Sequence, residues 1–134
     1  QVNVVGPFIC SKYAFGQMRQ HGGGRIINIG SISSESPRPD SAPYTTSKFA
    51  VDGLTRSLAL DGRRHNIAVG AIHPGNVMSE LLSAEEIARR EESEGFITAD
   101  DVARCVLTMA ELPPSANVLE LSVMPTRQPL VGRG

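Results

Sequence analysis

Apolar residues along this chain fall alternately into spaced sets and continuous runs. From Val4 to Met18, the residues Val5, Phe8, Ile9, Tyr13 and Phe15 recur at roughly helical spacing, so a helix is predicted there, with Gly6 and Pro7 in its early turns. The glycine-rich stretch His21 to Gly24 ends it. Arg25 to Gly30 is a short apolar run without two-residue alternation, which is the pattern of a buried parallel strand. A polar loop holding Pro37, Pro39 and Pro43 follows. Tyr44 to Leu60 reads as a second helix, anchored by Phe49, Leu54 and Leu58, with a row of small residues at Ala50, Gly53 and Ser57. Ile67 to Ile72 is the second strand, ended by His73-Pro74-Gly75-Asn76. Ser83 with Glu86 and Thr98 with Asp101 have capping-box spacing and open helices to about Glu92 and about Glu111. Pro113 and Pro114 break the chain, Val118 to Val123 is the third strand, and the tail from Pro125 is irregular.

Strands separated by helices imply right-handed crossovers and a parallel sheet. The predicted class is α/β, a partial doubly wound (Rossmann-like) parallel sheet built from three strands and flanking helices. No repeat or linker divides residues 1–134, so they are expected to form part of one domain. Residues 76–97 are the candidate substrate cover. Leu81, Leu82, Ile87, Phe96 and Ile97 give that segment an apolar side, and Gly75 and Gly95 bound it.

Hydrophobic residues make up 40% of the chain and aromatics only 4%, so the core must be mainly Ile, Val, Leu and Ala. A net charge of -1 gives no electrostatic case for a nucleic-acid partner. No apolar run approaches the ~20 residues of a membrane span. Cys10 and Cys105 lack metal-ligand spacing and are expected to be buried, reduced thiols, with no metal site and a cytoplasmic location. Arg89-Arg90-Glu91-Glu92 reads as a solvated helix face.

Tyr44 and Lys48, four apart, share one face of the second helix. An ammonium beside a phenol favours the phenolate, which suits acid–base catalysis. Ser31 lies just past the carboxyl end of the first predicted strand, and Pro74-Gly75 marks the same edge at the second. Ligands of open α/β sheets bind outside those strand ends. Gly75 would let backbone approach a flat ligand closely.

Gly24-Arg25-Ile26-Ile27-Asn28-Ile29-Gly30-Ser31, Tyr44-x-x-x-Lys48 and His73-Pro74-Gly75-x-Val77-x-Ser79 together resemble short-chain dehydrogenases/reductases. The resemblance implies an NAD(P)-dependent oxidoreductase interconverting a carbonyl and a secondary alcohol by hydride transfer. It makes Tyr44 the general acid or base and Ser31 the group that binds the substrate oxygen. Lys48 contacts the nicotinamide ribose and tunes Tyr44, and Asn3 organises a water beside the lysine. Tyr44, Lys48, Pro74, Gly75, Val77 and Ser79 become the cofactor contacts, Ser79 standing where the family usually has Thr. Ser31, Ser33 and Asn76 become the substrate contacts, whereas His73 precedes a turn that the family uses through its backbone. The family also pairs subunits through the helices carrying Asn3 and Tyr44, implying a homodimer or homotetramer.

Two features depart from the family pattern. No glycine-rich turn follows an early strand, and His21 to Gly24 precedes a strand instead, so the chain is expected to be the catalytic half without the cofactor-binding part. The alternative is a truncated, non-enzymatic fragment or interaction module that keeps the fold. The tail Val118 to Gln128 replaces the family's usual Asp-Gly-Gly ending and resembles NADP-preferring reductases, which favours NADP over NAD. Arg38, the one cation in the loop after Ser31, is expected to be solvated, and the substrate to be a carbonyl compound with a substantial apolar part.

Overall fold

A computed structural model describes residues 2–80 and 82–131; Leu81, one of the apolar residues assigned to the cover, lies outside them. The elements run α1 (Val2–Gln20), β1 (Gly24–Ile29), α2 (Ala42–Gly62), β2 (Ile67–Pro74), α3 (Ala84–Ser93), α4 (Ala99–Glu111) and β3 (Glu120–Val123), with short 3-10 turns at Ile32–Ser34 and Arg63–His65. The three strands are parallel in the order β1-β2-β3, as the alternation of strands and helices predicts.

β2 is the central strand, and its continuous apolar run follows from that place. Val69 and Ile72 are fully buried, and Ala71 is nearly so. Arg25 and Asn28, an odd number of positions apart on β1, point to opposite faces of the sheet. Arg25 donates to the carbonyls of Leu112, which caps α4, and of Ala116 in the turn beyond it, at 3.1 and 2.9 Å. Asn28 instead donates to the Thr55 hydroxyl of α2 at 2.9 Å. Helices therefore cover both faces, which is the doubly wound arrangement.

Several boundaries differ from the sequence reading. β2 continues through His73 and Pro74, because these residues pair with Ser122 and Val123 of β3. β3 begins at Glu120 rather than Val118. The Val118 carbonyl crosses directly over Gly70, where a side chain would collide with it, and Asn117 donates to the Val69 carbonyl at 2.8 Å. Ser83 and Thr98 both form complete capping boxes. Pro7 lies inside α1 without ending it.

Three expectations about individual side chains are corrected. Cys10 is exposed and Cys105 half-buried, so neither thiol belongs to the core. Arg90 turns inward from its charged run, reaching Glu86 at 3.2 Å. Arg38 is not simply solvated: it donates to Asn76 at 2.9 Å and to Glu94 at 2.7 Å. α1 buries only Ser11 among its described residues and leaves Val5, Phe8, Ile9 and Tyr13 exposed.

Candidate active site

A cavity of about 620 Å³ opens at the carboxyl ends of β1 and β2. Ser31, Ser33, Tyr44, Lys48, Pro74, Gly75, Asn76, Val77 and Ser79 all line it. These residues come from the segment after β1, the first turns of α2 and the segment after β2, which are the positions where an open parallel sheet presents ligand-binding groups.

Ser31 caps the 3-10 turn Ile32–Ser34 from an extended conformation, with φ -169°. Its hydroxyl oxygen accepts from the Ser33 N–H at 3.1 Å, which leaves its own O–H to donate into the cavity. The Ser31 carbonyl accepts from the Ser34 hydroxyl at 2.8 Å and lies 3.3 Å from the His73 ring nitrogen Nδ1. Ser31 is therefore buried and held at several points.

Pro43 sits in the first turn of α2, where a missing N–H costs nothing, and Tyr44 follows it at the cavity wall. Lys48, one turn later, places Nζ 5.6 Å from the centre of the Tyr44 ring. The same Nζ donates to the Ile29 carbonyl at 3.1 Å, which fixes the lysine to the end of β1. An ammonium has three donors, so two remain for a ligand. Ser47 ties the intervening turn by donating to the Tyr44 carbonyl at 2.6 Å.

Asn3 lies apart from this wall but close to the lysine. A smaller cavity of about 250 Å³ is lined by both Asn3 and Lys48, together with Pro7 and Asn28. Pro7 has no N–H to return to the carbonyl four residues earlier, which is that of Asn3. The Asn3 carbonyl thus lacks the usual donor four residues on, and Asn3 shares this cavity with the lysine.

The segment after β2 is built differently from the sequence reading. Gly75 lines the cavity, and the direction of its absent side chain is filled by the Gln128 side-chain oxygen and by Met124. Gln128 accepts from the Asn76 N–H at 2.8 Å. The Asn76 amide is itself engaged, accepting from Arg38 and donating to Glu94 at 2.6 Å. Val77 bridges to Ile97, and the Met78 N–H donates to the Ile97 carbonyl at 2.9 Å, so the two ends of the 76–97 segment meet. Glu94 and Gln128 went unread in the sequence. Glu94 ends a charged helix that looks solvated, Gln128 sits in an irregular tail, and neither carries a periodic signal.

The short chain dehydrogenase family model matches residues 1–90. An uncharacterized oxidoreductase of Escherichia coli (strain K12), YohF, is 40% identical over 97 residues, covering 72% of this chain and 38% of the relative. The 3alpha-hydroxysteroid dehydrogenase of Mediterraneibacter gnavus is 41% identical over 83 residues, covering 62% of this chain and 33% of the relative. Among solved structures, acetoin dehydrogenase YohF from Salmonella typhimurium matches with TM-score 0.79 and 32% identity, over 92% of this chain and 51% of that one. ElxO with NADP bound matches with TM-score 0.79 and 32% identity, over 91% and 53%. A gluconate 5-dehydrogenase from Burkholderia cenocepacia in complex with NADP and tartrate matches with TM-score 0.81 and 28% identity, over 92% and 52%. The chain spans roughly a third to a half of the length of these relatives. The expectation of a catalytic half without a cofactor-binding part is corrected: the family match starts at residue 1, and the structural likeness takes in nearly the whole chain rather than a catalytic portion alone. With Ser31, Tyr44 and Lys48 on one cavity wall and the family match running from the first residue, the chain belongs to the short chain dehydrogenase family.

Proposed function

We propose that the protein interconverts a carbonyl and a secondary alcohol by hydride transfer with a nicotinamide cofactor, NADP in preference to NAD. The convergence of Ser31, Tyr44 and Lys48 on one cavity at the strand ends carries this reading. A dinucleotide suits the site because Lys48 keeps two donors for ribose hydroxyls and because the Pro74 to Val77 segment offers a wall opposite α2. The NADP bound to ElxO and to the Burkholderia gluconate 5-dehydrogenase supports the choice of cofactor.

When bound, the cofactor supplies or accepts the hydride. The residues of this chain handle the substrate oxygen and its proton. Ser31 donates a hydrogen bond to the carbonyl oxygen and holds it in place. Tyr44 gives that oxygen a proton in reduction and takes it back in oxidation. Lys48 favours the phenolate left behind, and a water at the Asn3 carbonyl restores the proton through the lysine cavity. Pro74, Gly75, Val77 and Ser79 form the nicotinamide side of the cavity. Ser33 and Asn76 flank the substrate, Ser33 through its hydroxyl, and residues 76–97 cover it.

The substrate class is a neutral carbonyl compound with an apolar part, because Ile29, Ile32, Val77 and Leu82 contribute to the lining. No described helix is long and apolar enough to cross a membrane. For assembly, we propose a homodimer or homotetramer formed through α1 and α2. The exposed Val5, Phe8, Ile9 and Tyr13 on α1, and the open space beside Gly53 on α2, support that interface. Sedimentation that finds only monomer at micromolar concentration would argue against it.

The deciding experiment on activity replaces Tyr44 with Phe in the whole protein. Turnover of a ketone with NADPH should fall by about a hundredfold or more. Turnover near the wild-type rate would reject the assignment.

A further inference from the structure

Resting on the reading above, we propose that Glu94 is a positioning and specificity residue: it clamps the 76–97 segment over the cavity and cancels the charge of Arg38 within it. One carboxylate oxygen, Glu94 Oε2, accepts from three side chains. Asn76 donates at 2.6 Å, Arg38 at 2.7 Å and Gln128 at 3.2 Å. The four residues come from the loop after β1, the turn after β2, the end of α3 and the tail. Asn76 and Gln128 are each only 5% exposed while Arg38 and Glu94 keep 37% and 25% of their side-chain surface, so the cluster is part-buried and its charge-assisted hydrogen bonds are only partly screened by water.

Two observations indicate that Glu94 serves this clamp and not its own helix. Glu94 occupies the C-cap of α3, where a carboxylate faces the negative end of the helix dipole and is unfavourable. The helix end is served instead by Arg127, which donates to the Glu91 carbonyl at 2.7 Å. α3 also has no fully buried residue, so apolar packing alone holds it weakly against the rest of the fold. Its placement depends on the polar ties gathered at Glu94.

The clamp also sets the charge of the cavity. Arg38 and Arg90 both line it. Arg38 is paired with Glu94, and Arg90 with Glu86 at 3.2 Å. A substrate carboxylate that approaches Arg38 meets the negative charge of Glu94 beside it, whereas a neutral carbonyl compound meets no such repulsion. Glu94 thus selects against anions through the residue that would otherwise attract them.

Hydrogen–deuterium exchange of peptides from 76–97, together with steady-state reduction of 2,3-butanedione and of pyruvate, tests this in the whole protein. These two probes have nearly the same shape and differ in charge. Glu94→Gln should speed exchange of the segment by about tenfold or more and raise the pyruvate-to-butanedione ratio of kcat/KM by about tenfold. Arg38→Met should also speed exchange, without raising that ratio. Unchanged exchange in both variants overturns the clamp, and an unchanged ratio in Glu94→Gln overturns the selection against anions. If the wild type reduces neither compound, that failure belongs to the activity reading, and exchange alone decides the clamp. If Glu94→Gln does not fold, exchange in Arg38→Met decides it.

Discussion

Thr55 on α2 accepts a hydrogen bond from Asn28 on β1 at 2.9 Å, and both side chains are buried. The Thr55 hydroxyl in turn donates to the Val51 carbonyl at 2.8 Å, so the pair is oriented as well as satisfied. This bond sets the helix that carries Tyr44 and Lys48 against the strand that leads to Ser31. Thr55→Val keeps the shape and strands the Asn28 amide. Chemical denaturation should show a loss of about 1–3 kcal/mol. A loss below a few tenths would mean that the helix is held in register by packing alone.

Lys48 carries a different risk, because its bond to Ile29 is partly exposed and its role is chemical. Lys48→Met should leave the melting temperature nearly unchanged. Its kcat should fall by about a hundredfold. If stability falls as far as turnover does, the lysine is mainly a strap between α2 and β1.

Gly70→Ala probes the close crossing of β2 by the chain that leads into β3. The new methyl group would meet the Val118 carbonyl, with the Leu119 carbonyl 3.3 Å away, and backbone cannot turn aside as a side chain can. Thermal melts should show a destabilisation of about 1–3 kcal/mol. Wild-type stability would mean that this crossing is looser than its geometry indicates.

Asp101 offers a pH test of the second capping box. The Thr98 hydroxyl and backbone N–H donate to its carboxylate at 2.7 and 2.9 Å and hold its pKa below the ordinary 3.8. Because the folded value is lowered, the stabilisation is present above the unfolded pKa and is lost as pH falls through the folded one. Urea unfolding of wild type and Asp101→Asn should therefore differ at about pH 7 and converge towards about pH 2. A difference that persists unchanged in acid would exclude the charge as its cause.

The local pattern of residues determined a large part of this protein. Continuous apolar runs at 25–30 and 67–72 marked buried parallel strands, because a strand covered on both faces needs no polar alternation. Ser83 with Glu86 and Thr98 with Asp101 fixed two helix starts, since a capping box is complete within four residues. The Tyr44–Lys48 spacing was equally legible, because residues four apart on a helix must share a face.

Tertiary structure decided whatever depends on residues far apart in the chain. The extension of β2 through His73 and Pro74 came from pairing with β3, and the absent side chain of Gly75 makes room for Gln128, 53 positions on by residue number. Arg38 and Glu94 each look solvated in their own segments. They meet only because the loop after β1 and the end of α3 converge on Asn76. Sequence spacing constrains neighbours along one helix or strand, while partners brought together by folding leave no period to read, so the reactive groups were visible in advance and the scaffold that holds them was not.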